Sequence, residues 1–141
     1  MKPLKYQLIL MLNTLSLIGF GLAFFVNPHA MTGQFGITLS GTDAIADVYA
    51  VYGGFEIGMG LFLVWCAWKV RALEAGLVAA SFCLCGFFAG RLMGVISQGH
   101  PTESTYKLLA TDALGAILNP AFLMLYLREK KTQGTSNAAA S

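Results

Sequence analysis

The chain has 141 residues, of which 56% are hydrophobic and only 11% charged, and its net charge is +2. An ordinary soluble domain is about 25% charged, so the composition points to lipid as the solvent. The small positive balance gives no footing for nucleic-acid binding, and the length suits one domain.

Four apolar runs organise the chain: Leu8 to Val26, Val48 to Trp68, Ala75 to Ile96 and Tyr106 to Leu127. Each matches the ~20 residues that a membrane helix needs. The alternating segments of a membrane barrel are missing. The expected fold is all-α, an integral membrane four-helix bundle forming a single domain over residues 1–131. The lipid bilayer is then the first partner. Residues 132–141, small and polar, are expected to be a disordered tail.

Lys2 and Lys5 precede the first run, as they would in a secretory signal. Its apolar core exceeds the roughly 7–15 residues of a signal, and Pro28 of Pro28-His29-Ala30 stands where a small residue is wanted. It reads as an uncleaved first span. Asn13, Thr14 and Ser16 offer interhelix hydrogen bonds, and Asn27-Pro28 ends the helix. His29 to Ala46 is the longest connection. Gly33, Gly36 and Gly41 argue against one continuous helix there, and the alternation of Phe35, Ile37 and Leu39 suits a short extended piece or a stretch lying on the bilayer. An ordinary loop across the outer end is the expected form.

Span two opens near Asp43 to Asp47, where acidic groups favour a helix N-terminus. It carries two small-residue stripes, Ala50/Gly54/Gly58 and Gly53/Glu56/Gly60, and such stripes let helices approach closely in lipid. Trp65 and Trp68 mark an interface. A basic turn from Lys69 to Glu74 reverses the chain. Span three repeats the device with Gly86, Gly90 and Gly94 and stops at Ser97-Gln98-Gly99-His100-Pro101. Thr102 is the expected N-cap of span four, and Asn119-Pro120 should loosen or kink that helix. Cys66, Cys83 and Cys85 all fall within spans and read as packing residues rather than a metal or redox pair.

The loops are unequal in charge. One side collects Lys2, Lys5, Lys69, Arg71, Arg128, Lys130 and Lys131, and the other holds Lys107 alone. The positive-inside rule makes the chain N-in and C-in.

Three charges lie inside the spans: Glu56, Arg91 and Asp112. At 1.5 Å per residue they sit roughly 13, 10 and 14 Å below the outer surface, so they are expected to share one depth and face one another as a buried cluster. Spans three and four, joined by a short turn, bring Arg91 to Asp112. An ionisable group in a membrane interior is a candidate functional residue by default, although a purely structural cluster fits the pattern too. Two carboxylates against one guanidinium leave an excess negative charge. Either one carboxyl carries a proton, for which Glu56 is the candidate, or the site holds a cation or a donor-rich ligand. Tyr49 and Tyr52 lie outward of Glu56 and could line a path, with His100 on the same outer side. Metal ligation is not expected of lone histidines, and no cofactor is identified. No Walker loop, nucleotide fingerprint, Ser-His-Asp order or zinc spacing occurs, which weighs against an enzyme.

The pattern Tyr52-Gly53-Gly54, Gly90-Arg91-Leu92, Gly99-His100-Pro101 and the acidic Asp112 resembles an uncharacterised bacterial membrane family, domain-of-unknown-function family 4345. It is more distantly similar to the DoxX-like four-helix proteins. The likeness covers roughly Pro28 to Leu127. The family more often carries Glu where this chain has Asp112, and an Arg at the start of span two where this chain has Asp47 to Tyr49. The resemblance implies a bacterial inner-membrane (plasma-membrane) bundle without an established activity. DoxX-like relatives imply a link to quinone chemistry. The leading expectation is therefore a non-enzymatic membrane protein, binding a small amphiphile at Glu56, Arg91 and Asp112 or serving as a subunit or homo-oligomer in a membrane complex. An accessory subunit of a quinone-linked oxidoreductase is the alternative, and proton or ion permeation the third.

Overall fold

The structure, a computed structural model, describes residues 3–99 and 101–139. Within them the order is α1 (Leu4–Val26), α2 (Pro28–Gly33), α3 (Gly41–Val48), a π-helical segment (Tyr49–Phe55), α4 (Glu56–Trp68), a 3-10 turn (Val70–Ala72), α5 (Leu73–Gln98) and α6 (Glu103–Ala139). No strand occurs among the described residues. Four helical stretches, Leu4–Val26, Gly41–Trp68, Val70–Gln98 and Glu103–Thr135, are long and apolar enough to cross a membrane.

The bundle consists of two helix pairs. α1 lies along α4 and the π segment, and α5 lies along α6. The pairs join at the end where the basic residues collect. Tyr6, Leu10, Leu63, Leu73 and Leu77 are fully buried there. The Tyr6 ring meets Phe122 and Tyr126 edge to face, with centroids 6.3 and 5.1 Å apart, the geometry that aromatic quadrupoles favour. Gln7 Nε2 donates to the Ala67 carbonyl at 2.9 Å. At the same end Lys5 pairs with Glu129, and Lys130 pairs with Glu74 at 2.5 Å.

Between α1 and α4 the close approach depends on missing side chains. A Cβ on Gly60 would stand 2.5 Å from Ile18 Cγ1 and 3.3 Å from the Thr14 carbonyl. One on Gly21 would meet Ile57 and the Gly53 carbonyl at 2.8 and 2.9 Å, and one on Gly53 would enter the Phe25 ring. The closeness lets the Thr14 hydroxyl donate across to the Gly60 carbonyl at 3.2 Å. In lipid such packing and hydrogen bonding replace the hydrophobic effect as the force between helices. Only one of the two expected stripes on span two packs this way. A Cβ on Gly58 would meet nothing within 4 Å, and the same holds for Gly86, Gly90 and Gly94 on α5. The stripe on span three is therefore not a close helix contact within the chain.

The connection between α1 and α3 is more ordered than a plain loop. Asn27 ends α1, and its Oδ1 accepts from Ala30 N at 3.0 Å to start α2. Residues 37–40 are non-helical, as the alternation of Ile37 and Leu39 suggests. Gly41, at φ 84°, turns the chain into α3. At the turn between α5 and α6 Gly99 adopts φ 64° and ψ 178°, a region that essentially only glycine enters. Thr102 caps α6 as expected, its Oγ1 accepting from Thr105 N at 3.3 Å.

Pro120 lies inside α6, and the helix continues through it. Proline has no N–H for the carbonyl four residues earlier, and the Cys85 thiol of α5 donates to that Ala116 carbonyl at 3.7 Å. The helix also continues to Ala139 in place of the expected disordered tail from 132. The hydroxyls of Thr132 and Thr135 fold back on carbonyls four residues earlier.

Gly60→Ala should lower stability by about 1–3 kcal/mol, because the methyl group must push α1 away. Gly58→Ala should be neutral or stabilising by up to ~1 kcal/mol through helix propensity. Thermal unfolding of both variants in detergent checks the contrast, and equal effects would contradict the packing described.

Candidate functional site

Arg91 on α5 and Asp112 on α6 flank the turn at 99–102 at similar distances along two antiparallel helices, which places them side by side. The Arg91 Nε donates to Asp112 Oδ2 at 2.6 Å. The short aspartate side chain reaches the guanidinium directly. The pair is half-buried, with 29% of the Arg91 and 11% of the Asp112 side chain exposed. It therefore lies in the wall of an open space and is not the sealed salt bridge expected from the sequence.

Glu56 begins α4 where the π segment ends. It is 6% exposed, and its Oε2 is buried without a hydrogen-bond partner among the described residues. The expected three-way cluster is thus a bonded pair and a separate carboxyl facing the same cavity. The cause lies in the helix pairing. Glu56 stands on the helix that follows α1, whereas Arg91 and Asp112 belong to the other pair, and beyond the basic end the pairs leave a gap.

That gap is a cavity of about 740 Å³, within the 300–1,000 Å³ range of small-ligand sites. Glu56, Arg91 and Asp112 line it together with Tyr52, Asn13, Ser16, Thr111 and Asn119. Apolar surface from Leu12, Phe20, Phe55, Leu84 and Phe87 makes most of the wall. Leu12, Phe55 and Leu114 on its lining are exposed, so the cavity is open along that flank. Gly86 and Gly90 line the cavity too, and a side chain there would meet nothing within 4 Å. Their role is to leave room.

The floor is polar. Asn13 Nδ2 donates to Asn119 Oδ1 at 2.6 Å, joining α1 to α6, and Asn119 Nδ2 donates to the Gly115 carbonyl at 3.0 Å. Asn119 is 1% exposed. Asn13 was legible as an interhelix hydrogen-bonding residue. Asn119 stood out only as the residue before proline. Its spacing of seven from Asp112, with Gly115 between, is the face signal that would have found it.

The remaining expected residues divide. Tyr52 lines the cavity with its ring stacked on Phe24 at 4.9 Å. Tyr49 does not line it, and stacks on Phe25 at 5.3 Å instead. The π segment sets this division by turning Tyr49 away from the face shared by Tyr52 and Glu56. Single π turns inside α-helices frequently mark functional positions. His100 lies outside the described residues.

The family described as Domain of unknown function (DUF4345) matches residues 6–123, a range that contains Glu56, Arg91, Asp112 and the Asn13–Asn119 floor. No curated protein and no solved structure matches the chain.

Arg91→Ala should cost about 2 kcal/mol of stability, less than the loss for a fully buried pair, because Asp112 is left beside a second carboxyl without its counter-charge. Adding Asp112→Asn in the same chain should recover part of that loss. A double-mutant cycle read by thermal unfolding checks this, and strictly additive losses would show that the two groups are not coupled.

Proposed function

This chain belongs to the family of domain of unknown function DUF4345, and we propose that it is a non-enzymatic, multi-pass membrane protein that binds a small amphiphile between its two helix pairs. The observation that carries this reading is the cavity of about 740 Å³ whose apolar walls lead to Glu56, Arg91 and Asp112. A polar headgroup would meet those three side chains. An apolar chain would lie along Leu12, Phe55 and Phe87 and reach the exterior through the lipid-facing rim. Few convergent polar groups in a mostly apolar concavity are the usual make-up of such sites.

A quinone, as a ligand of an oxidoreductase partner, is the second reading, since Arg91 and Tyr52 offer donors to its carbonyl oxygens. The unpartnered Glu56 favours a donor-bearing headgroup over it. Permeation of protons or ions has less support, because Tyr6, Leu10, Leu63, Leu73 and Leu77 fill the basic end. The same end, with Lys5, Lys69, Arg71 and Lys130, is the cytoplasmic one in this proposal.

Purified from phosphatidylcholine nanodiscs, the wild-type protein should carry a single-chain amphiphile detectable by native mass spectrometry, and Gly90→Phe, which fills the cavity, should lose it. Equal occupancy in both would remove the cavity as the binding site. For orientation, an impermeant maleimide should label Ser40→Cys in intact cells, and Thr132→Cys only after permeabilisation. The opposite pattern would invert the topology.

A further inference from the structure

Several donors on the cavity lining are bonded within the protein, whereas the Nη groups of Arg91 make no hydrogen bond to the described residues. Arg91 Nε is held by Asp112, Asn13 Nδ2 by Asn119, Asn119 Nδ2 by the Gly115 carbonyl, and the Thr111 hydroxyl by the Lys107 carbonyl at 3.0 Å. The acceptor left over is Glu56. The residue is only 6% exposed, it lines the cavity, and its Oε2 is buried with no hydrogen-bond partner among the described residues. An ionised carboxylate only accepts hydrogen bonds, and a buried acceptor without a donor is costly. The charge count of the cavity agrees. Asp112 neutralises Arg91, and Glu56 remains as the uncompensated charge.

We propose that the amphiphile is a single-chain primary amine whose ammonium headgroup is held by Glu56. An ammonium supplies one positive charge and three N–H donors, so it balances the lining and satisfies the carboxyl in one step. Arg91, already paired, does not oppose it as a free cation would. The hydroxyls of Tyr52 and Ser16 on the same lining are acceptors within the cavity for the remaining N–H groups. The volume sets the chain number. About 740 Å³ is the size of sites for drug-sized molecules, suited to one alkyl chain and its headgroup rather than to a two-tailed phospholipid.

This inference rests on the amphiphile reading above, and a set of chain-matched probes separates the two. Dodecylamine, dodecanol, dodecanoate and dodecyltrimethylammonium are titrated into the protein in phosphatidylcholine nanodiscs, whose lipid headgroups carry no N–H donor. Native mass spectrometry reads the binding, with Gly90→Phe as the filled-cavity control. Dodecylamine should bind about tenfold or more tighter than each of the other three. Glu56→Gln should abolish that preference, whereas Glu74→Gln, at the distant basic end, should leave it intact. The probe ranking in the unaltered protein stands even if Glu56→Gln fails to fold. Tighter binding of dodecanoate, or equal binding of dodecyltrimethylammonium, would overturn the amine assignment while leaving an amphiphile site. Binding of all four probes that survives in Gly90→Phe would overturn the site itself.

Discussion

An arginine within a helix long and apolar enough to cross a membrane needs a counter-charge, and the Arg91–Asp112 pair answers that need between neighbouring helices. The 2.6 Å contact fixes how α5 and α6 stand relative to each other, because a shift by one residue would carry the charges about 1.5 Å apart along the axis and around the helix by about a quarter turn. The pair also explains why the half of the bundle away from the basic end is not simply closed. Two charges on a wall keep that wall polar, and a third, Glu56, faces the same space from the other helix pair. Apolar side chains cannot fill such a space without stranding a carboxyl, whose desolvation without a partner is unfavourable.

The bundle thereby divides along its length. At the basic end, bulky side chains and ion pairs close all four long helices around Tyr6. Toward the other end, glycines do two opposite things. Gly21, Gly53 and Gly60 remove side chains where α1 and the second span touch, drawing that pair together. Gly86 and Gly90 remove side chains where nothing is in contact, keeping the gap between pairs open. The residue type is the same, and its consequence depends on whether a neighbour is present.

The π segment at Tyr49–Phe55 links these halves. It occupies the glycine-rich part of the second span, leans on Phe25 through Gly53, and delivers Glu56 to the cavity at its end. Helix geometry of this kind has no short sequence signature. Gly53-Gly54 weakens the preference for any regular helix, but whether the result is a kink, an ordinary turn or a wide turn is decided by what packs against it. Spacing alone puts Tyr49 and Tyr52 together outward of Glu56 on one path, and the structure separates them, with Tyr52 lining the cavity and Tyr49 stacked on Phe25.

Length and hydropathy by themselves determined that four stretches are membrane-length helices and where they turn, and drew attention to Glu56, Arg91 and Asp112, which line one cavity. These are local properties, set by the 1.5 Å rise of a helix, by glycine at positive φ, and by an apolar run long enough for a bilayer. They also singled out Arg91 and Asp112 as partners, since a short turn forces adjacent helices to be antiparallel. Tertiary structure alone decided that Glu56 stays apart from that pair, that one glycine stripe binds a helix while another leaves a void, and that Asn13 and Asn119 close the cavity floor. Each depends on which helices share a face. That is settled by contacts between residues far apart in the chain, such as Thr14 with Gly60 or Cys85 with Ala116, which no periodicity within one helix encodes.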